Sequence, residues 1–380
     1  MLPKERVLAI FEHRPTDIVP TYQAGLSSRV ASAVLGREAY VGGGMQQWRE
    51  SKALWEGEAA HREFLERSRQ DAHDLANALN VDYVRPAYWR KNEKPTRKID
   101  KYTFMFGDPG DAWYVMRFDP ETELYQVVDS QHRAEPTLAD IERRVEALES
   151  SAPRHSPTPE SFADSAAALE VFGHERAVPG GGVGICVPRE AVWLEAVALR
   201  PDLVARHLDA QAERSVRSVA CQAKMGLRFL QGGGDFAGKN GPFYSPKAFH
   251  RLMLPALQKV SAACHEHECF HMFASDGDLW PVAEDLFGAS GVDAFYEIDR
   301  QAGMDLRALR QRYPELTLLG GISSETLHCG TRDEVVAEAR SALEVAREMG
   351  SIMVGCSNQI VAQTPIENLM AMLETINEHR

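Results

Sequence analysis

The chain has 380 residues, 44% apolar and 8% aromatic, enough to bury a large interior and far from the composition of a disordered segment. No run approaches the roughly 18 uninterrupted apolar residues of a spanning helix, so no membrane partner is expected. Asp and Glu number 55 against 42 Lys and Arg, a formal charge of -13 that repels nucleic acid, and no local basic patch offsets it.

From the N-terminus, MLPKERVLAIFEHRPTD surrounds a short apolar segment with charge and offers no secretory h-region, so a cytoplasmic location is expected. Short apolar or β-branched runs then recur at IVPTY (18–22), VDYVR (81–85), VGICV (183–187), RFLQ (228–231), CFHMFA (269–274), VDAFY (292–296), LTLLG (316–320) and SIMVG (351–355). Helical segments separate the later ones: 201–226, 245–267 with Ser245 as N-cap and Pro246 at the first helical position, and 331–350 with Thr331 and Glu334 in capping-box spacing and Gly350 as the stop. Strand and helix alternating to a count of eight predict an α/β fold, a TIM-type (β/α)8 barrel. Two stretches decorate it: an inserted hairpin pair at 102–128, with turn signals at Asp108-Pro109-Gly110 and Asp119-Pro120, and a Pro/Ser-rich connection at 150–161. The expected organisation is one barrel domain over 1–380 with an insertion at roughly 96–135.

A barrel keeps its chemistry at the C-terminal ends of its strands. Read that way, the rim holds Gln23 after the first strand, Tyr88 and Trp89 after the second, and Pro188 and Arg189 after the third. Asp235, Lys239 and Asn240 follow the fourth strand, Asp276 the fifth, Glu297 and Asp299 the sixth, and Cys356, Asn358 and Gln359 the eighth. Carboxylates dominate, which favours proton transfer or cation binding over the clamping of a polyanion. Asp235, Asp276 and Asp299 on one rim are the candidate catalytic groups. Gln23, Arg189, Asn240, Glu297, Asn358 and Gln359 are the candidate substrate contacts.

Other motifs carry less. GGDFAGKN (233–240) ends in Asn240 where a P-loop needs Ser or Thr. GGGVG (180–184) precedes its strand, the wrong side for a dinucleotide fingerprint. HEHECFH alternates His265, His267, Cys269 and His271, a chelating spacing only if fully extended, and a helix is expected to end within it. Six cysteines without a CxxC pair read as reduced thiols.

In series, KERVLAIFEHRPTDIVP, GGGDFAGKNGPFYSP, ASDGDLWPV, GVDAFYEIDRQAGMDL, LLGGISSETLHCGTRDEV and TPIENLMAML resemble the uroporphyrinogen decarboxylase superfamily, which includes corrinoid-dependent methyltransferases. The resemblance runs nearly end to end and implies a TIM-like barrel, commonly a homodimer. The decarboxylases grip porphyrinogen acetates with an arginine-bearing N-terminal segment, whereas this chain reads PTYQAGLSSR, with no Arg beside Gln23. The methyltransferases hold zinc through a His-x-Cys turn after strand five and a Cys after strand eight. Here Ala274 takes the His place and Asp276 the Cys place, leaving Cys356 as the remaining match. A rearranged zinc site of Asp276, Cys356 and Asp299 or Glu297 is the metal expectation.

The resemblance therefore implies an enzyme moving a methyl group between a small methylated substrate and a corrinoid supplied by a partner protein. Decarboxylation of a porphyrinogen or a smaller acid, and a non-catalytic ligand-binding barrel, are the alternatives.

Overall fold

The computed structural model describes residues 1–108, 110–131 and 135–380. Six parallel strands follow one another around a curled sheet: Pro179–Gly180, Phe229–Gly233, Phe270–Ala274, Ala294–Tyr296, Thr317–Ile322 and Ile352–Cys356. The first two expected strands join its edges. Thr21 bridges Val354 and Tyr83 bridges Ala177, both in parallel, and the amides of Asp82 and Tyr83 donate to the Thr21 carbonyl at 3.0 and 3.2 Å. The ring thus closes with eight places, a TIM-type barrel.

Alternation along these strands sorts side chains into two layers. Tyr22, Tyr83, Phe229, Met272, Ala294, Leu319 and Met353 fill the interior, and Val7, Ile10 and Phe11 of the helix Pro3–Phe11 close its lower end. Leu230, Phe273, Phe295, Leu318, Val354 and Cys356 point the other way, into the larger core beneath the outer helices. Those helices start and stop as their sequence dictates. Ser245 accepts from the Ala248 amide, Thr331 and Glu334 form the capping box of Arg332–Met349, and Gly350 ends that helix.

The third strand lies earlier than expected. Pro179–Gly180 pairs with Phe229–Leu230, whereas 183–187 is irregular. Gly182, at φ +73°, turns the chain out of the extended run. Val183, Ile185 and Val187 still bury against the main core, which is why their pattern reads as a strand.

The insertion is a single four-stranded antiparallel sheet of Arg97–Lys98, Thr103–Asp108, Ala112–Asp119 and Leu124–Ser130. Its own small core comprises Phe104, Phe106, Met116, Phe118 and Tyr125, with Trp48 stacked on Phe118 at 5.0 Å. Pro109 of the predicted turn lies outside the described residues. Among the described residues no helix is long and apolar enough to cross a membrane, and all six cysteines are free.

Asp82 ties the barrel seam together. Its carboxylate is 1% exposed. It accepts from the Thr21 amide and hydroxyl at 2.9 and 3.0 Å, from Arg6 Nη1 at 2.9 Å and from Arg380 Nη1 at 2.9 Å. Removing one partner of a buried, fully bonded charge cluster leaves the others uncompensated. Asp82→Ala is expected to lower stability by about 3–5 kcal/mol, read from urea unfolding midpoints; a loss within experimental error contradicts the assignment.

Candidate active site

The mouth of the barrel is built by the turns that leave the strands. At the end of Phe229–Gly233 the glycine run is a packing requirement: a Cβ on Gly234 would sit 2.0 Å from the Ile185 carbonyl oxygen. With that close approach allowed, the next residue, Asp235, emerges at the rim. Asp276 follows Phe270–Ala274, and Glu297 and Asp299 follow Ala294–Tyr296.

Ligand oxygens of Asp235, Asp276 and Glu297 all lie within 4.8 Å of one another. They line a cavity of about 340 Å³ together with Arg189, Lys239, Asp299, Ser323 and Asn358. Arg189 Nη2 donates to Asp235 Oδ2 at 2.7 Å, and Asn358 Nδ2 donates to Asp276 Oδ1 at 2.8 Å. Asp299 accepts from the Gly277 amide at 3.3 Å and the Ala302 amide at 3.1 Å, so it also caps the short helix Arg300–Ala302.

Glu297 stands apart. Among the described residues it makes neither a hydrogen bond nor an ion pair, and its backbone is held at φ +67°, a strained region for a non-glycine residue. Burial first, then the charges of Asp276 and Asp235, push its carboxyl up to about 7, with Arg85 opposing. Asp276 is raised by burial and by Asp235 and Asp299, while Asn358 counters. Crowding the carboxyls in one cavity therefore moves the titration of Glu297 toward neutral pH.

Several sequence candidates lie elsewhere. Gln23 is buried beside the seam, its Oε1 accepting from the Cys356 amide at 3.3 Å. Asn240 is exposed at the hairpin joining Ala237–Gly238 to Gly241–Pro242, where the P-loop-like motif has no helix to serve. Gln359 packs against Gly25. In HEHECFH, His265 binds Asp293, His271 binds Ser261 and Cys269 Sγ donates to the Leu227 carbonyl, so those residues do not converge.

Cys356 also departs from the expectation. It shares the outward face of Ile352 and Val354, its Sγ donates to the Asn358 carbonyl at 3.1 Å, and burial pushes the thiol up to about 12. Among the described residues Cys356 joins no cluster of potential ligands, and its side chain lies with the helix layer, so the expected zinc site of Asp276 and Cys356 is not assembled in this chain. The converging donors are all carboxylate oxygens, a set suited to hard cations such as Mg²⁺.

Arg85, whose charge acts on Glu297, is a residue that reading only beyond the strand ends overlooks. Tyr83 faces the interior and Val84 the helices, so alternation alone directs Arg85 inward, toward the mouth.

The family model for uroporphyrinogen decarboxylase (URO-D) matches residues 189–379, half of the chain. The chain belongs to the uroporphyrinogen decarboxylase family. The match spans the turns that carry Asp235, Asp276, Glu297 and Asn358. Among solved structures, a methyltransferase from Methanosarcina mazei superposes with a TM-score of 0.64 at 17% identity, covering 100% of this chain and 99% of that one, which shows the shared fold. No curated protein matches the chain.

The raised Glu297 carboxyl has a stability signature. Below the ordinary value of 4.5 the folded and unfolded chains both carry the proton. As pH rises toward 7 the unfolded chain ionises first, so the folded state loses stability over that window. Glu297→Gln removes this loss: relative to the native chain it is expected to gain about 3 kcal/mol between pH 4.5 and about pH 8, measured by denaturant unfolding at each pH. A constant difference across that range contradicts the reading.

Proposed function

We propose that this family member is an enzyme that moves a methyl group between a small methylated substrate and a corrinoid carried by a separate protein. The observation that carries the reading is the meeting of Asp235, Asp276 and Glu297 at the barrel mouth, where burial and the two neighbours push the Glu297 carboxyl up to about 7. The cavity, about 340 Å³, suits a small substrate. A porphyrinogen bears eight carboxylates, which this acidic wall opposes, and that favours methyl transfer over porphyrinogen decarboxylation.

The corrinoid supplies the nucleophilic metal centre and electron pair that take the methyl carbon. The chain's own residues manage the other end of the breaking bond. As the carbon–heteroatom bond opens, its electron pair stays on the heteroatom, and the Glu297 carboxyl delivers a proton there, becoming carboxylate. Asp276, oriented by Asn358, and Asp235, oriented by Arg189, position the substrate and hold Glu297 in its protonated form. In the reverse direction the Glu297 carboxylate takes the proton back.

The test is spectroscopic. Purified protein, a reduced corrinoid protein and a panel of methylated amines, ethers and thioethers are expected to show corrinoid methylation by visible absorbance. Its rate should fall as pH rises through about 7, and Glu297→Gln should lower it about 10²- to 10⁴-fold. Failure with every donor, or carbon dioxide release from uroporphyrinogen, contradicts the proposal.

A further inference from the structure

Two buried donors on the inner wall of the barrel lack acceptors. Arg85 Nε is buried without a hydrogen-bond partner, and among the described residues Arg85 forms no ion pair. Arg90, five positions on, reaches both Glu50 and Asp164. The Tyr22 hydroxyl is likewise buried without a partner, on a residue only 5% exposed.

These two groups belong together. Tyr22 and Tyr83 line the interior, Arg85 stands one inward position above Tyr83, and its charge acts on Tyr22, Tyr83, Tyr296 and Glu297. The guanidinium carbon also lies 5.1 Å from the Tyr88 ring centre, which steadies it but accepts no hydrogen bond. A half-buried guanidinium without an ion-pair partner is costly. Both orphan groups donate, so what completes them is an acceptor with negative charge and two or more lone pairs. A carboxylate fits a guanidinium fork and a hydroxyl at once.

We propose that Arg85, assisted by the Tyr22 hydroxyl, binds a carboxylate of the substrate and so presents its other end to Asp235, Asp276 and Glu297. The substrate class is then a small methylated compound that also bears a carboxylate; the word methylated rests on the function proposed above, the carboxylate does not. Arg85 is a specificity-determining residue, separate from the group that moves the proton.

Calorimetric binding of two matched pairs tests this: methoxyacetate against 2-methoxyethanol, and N,N-dimethylglycine against N,N-dimethylethanolamine. In at least one pair the carboxylate member is expected to bind the native protein about ten- to a hundredfold tighter. Arg85→Gln should erase that preference, Arg85→Lys should keep part of it through charge alone, and Tyr22→Phe should weaken it a few-fold. Because Arg85 has no ion pair to lose among the described residues and its Nε has no hydrogen-bond partner, Arg85→Gln should unfold at nearly the same temperature or higher; a clear fall marks a structural role and overturns the proposal. Equal affinities within both pairs, or a preference that survives Arg85→Gln, also overturn it. Corrinoid methylation from a carboxylate-bearing donor, undiminished by Arg85→Gln, rejects Arg85 while sparing methyl transfer. Arg85-dependent carboxylate binding without methylation from any donor rejects methyl transfer while sparing Arg85.

Discussion

The closure of the barrel around Asp82 is the constraint on which the site depends. Two of the eight places in the ring pair only over short stretches, at the bridges of Thr21 and Tyr83 and the backbone hydrogen bonds beside them. The buried carboxylate supplies the rest, gathering the first strand position, the N-terminal helix through Arg6 and the end of the chain through Arg380. A ring closed there fixes the tilt of the remaining strands, and with it the places where Asp235, Asp276 and Glu297 leave the sheet. Opening the seam would also release Tyr22, Tyr83 and Arg85, which stand on either side of it.

At the other end of the barrel, charge is used in the opposite sense. Asp82 is surrounded by donors and cations, whereas the mouth carboxyls face each other with few donors between them. Among the described residues Asp235 has Arg189, Asp276 the Asn358 side-chain amide and Asp299 two backbone amides. Glu297 has none of these, and with burial and two acidic neighbours it retains its proton to about 7. Carboxyl side chains are thus ringed by donors at the seam and crowded against one another at the mouth, and only the second arrangement raises a carboxyl toward neutral pH.

Much of this was legible in the sequence. Apolar runs of strand length alternating with capped helices announced the barrel, and the rule that chemistry sits beyond the strand ends led to Asp235, Asp276, Glu297 and Asp299, which share one cavity. What was not legible turned on side-chain direction. Cys356 ends its strand, as a ligand should, yet its parity with Val354 sends it to the helix layer. VGICV alternates like a strand because it packs like one, although the Gly182 turn releases it from the sheet. Arg85 was hidden inside a strand segment, and parity relative to Tyr83 was the available signal. The absence of partners for Arg85 and Tyr22 belongs to three-dimensional packing and has no sequence signature.

The proposed chemistry depends on a carboxyl at the barrel mouth that titrates near neutral pH. Carbon-13 NMR of the protein labelled at the glutamate side-chain carboxyls, followed across pH, addresses it without any substrate. A resonance titrating near 7 that disappears in Glu297→Gln is the predicted result. A spectrum in which every glutamate titrates below about 5, close to the unperturbed value, would contradict it.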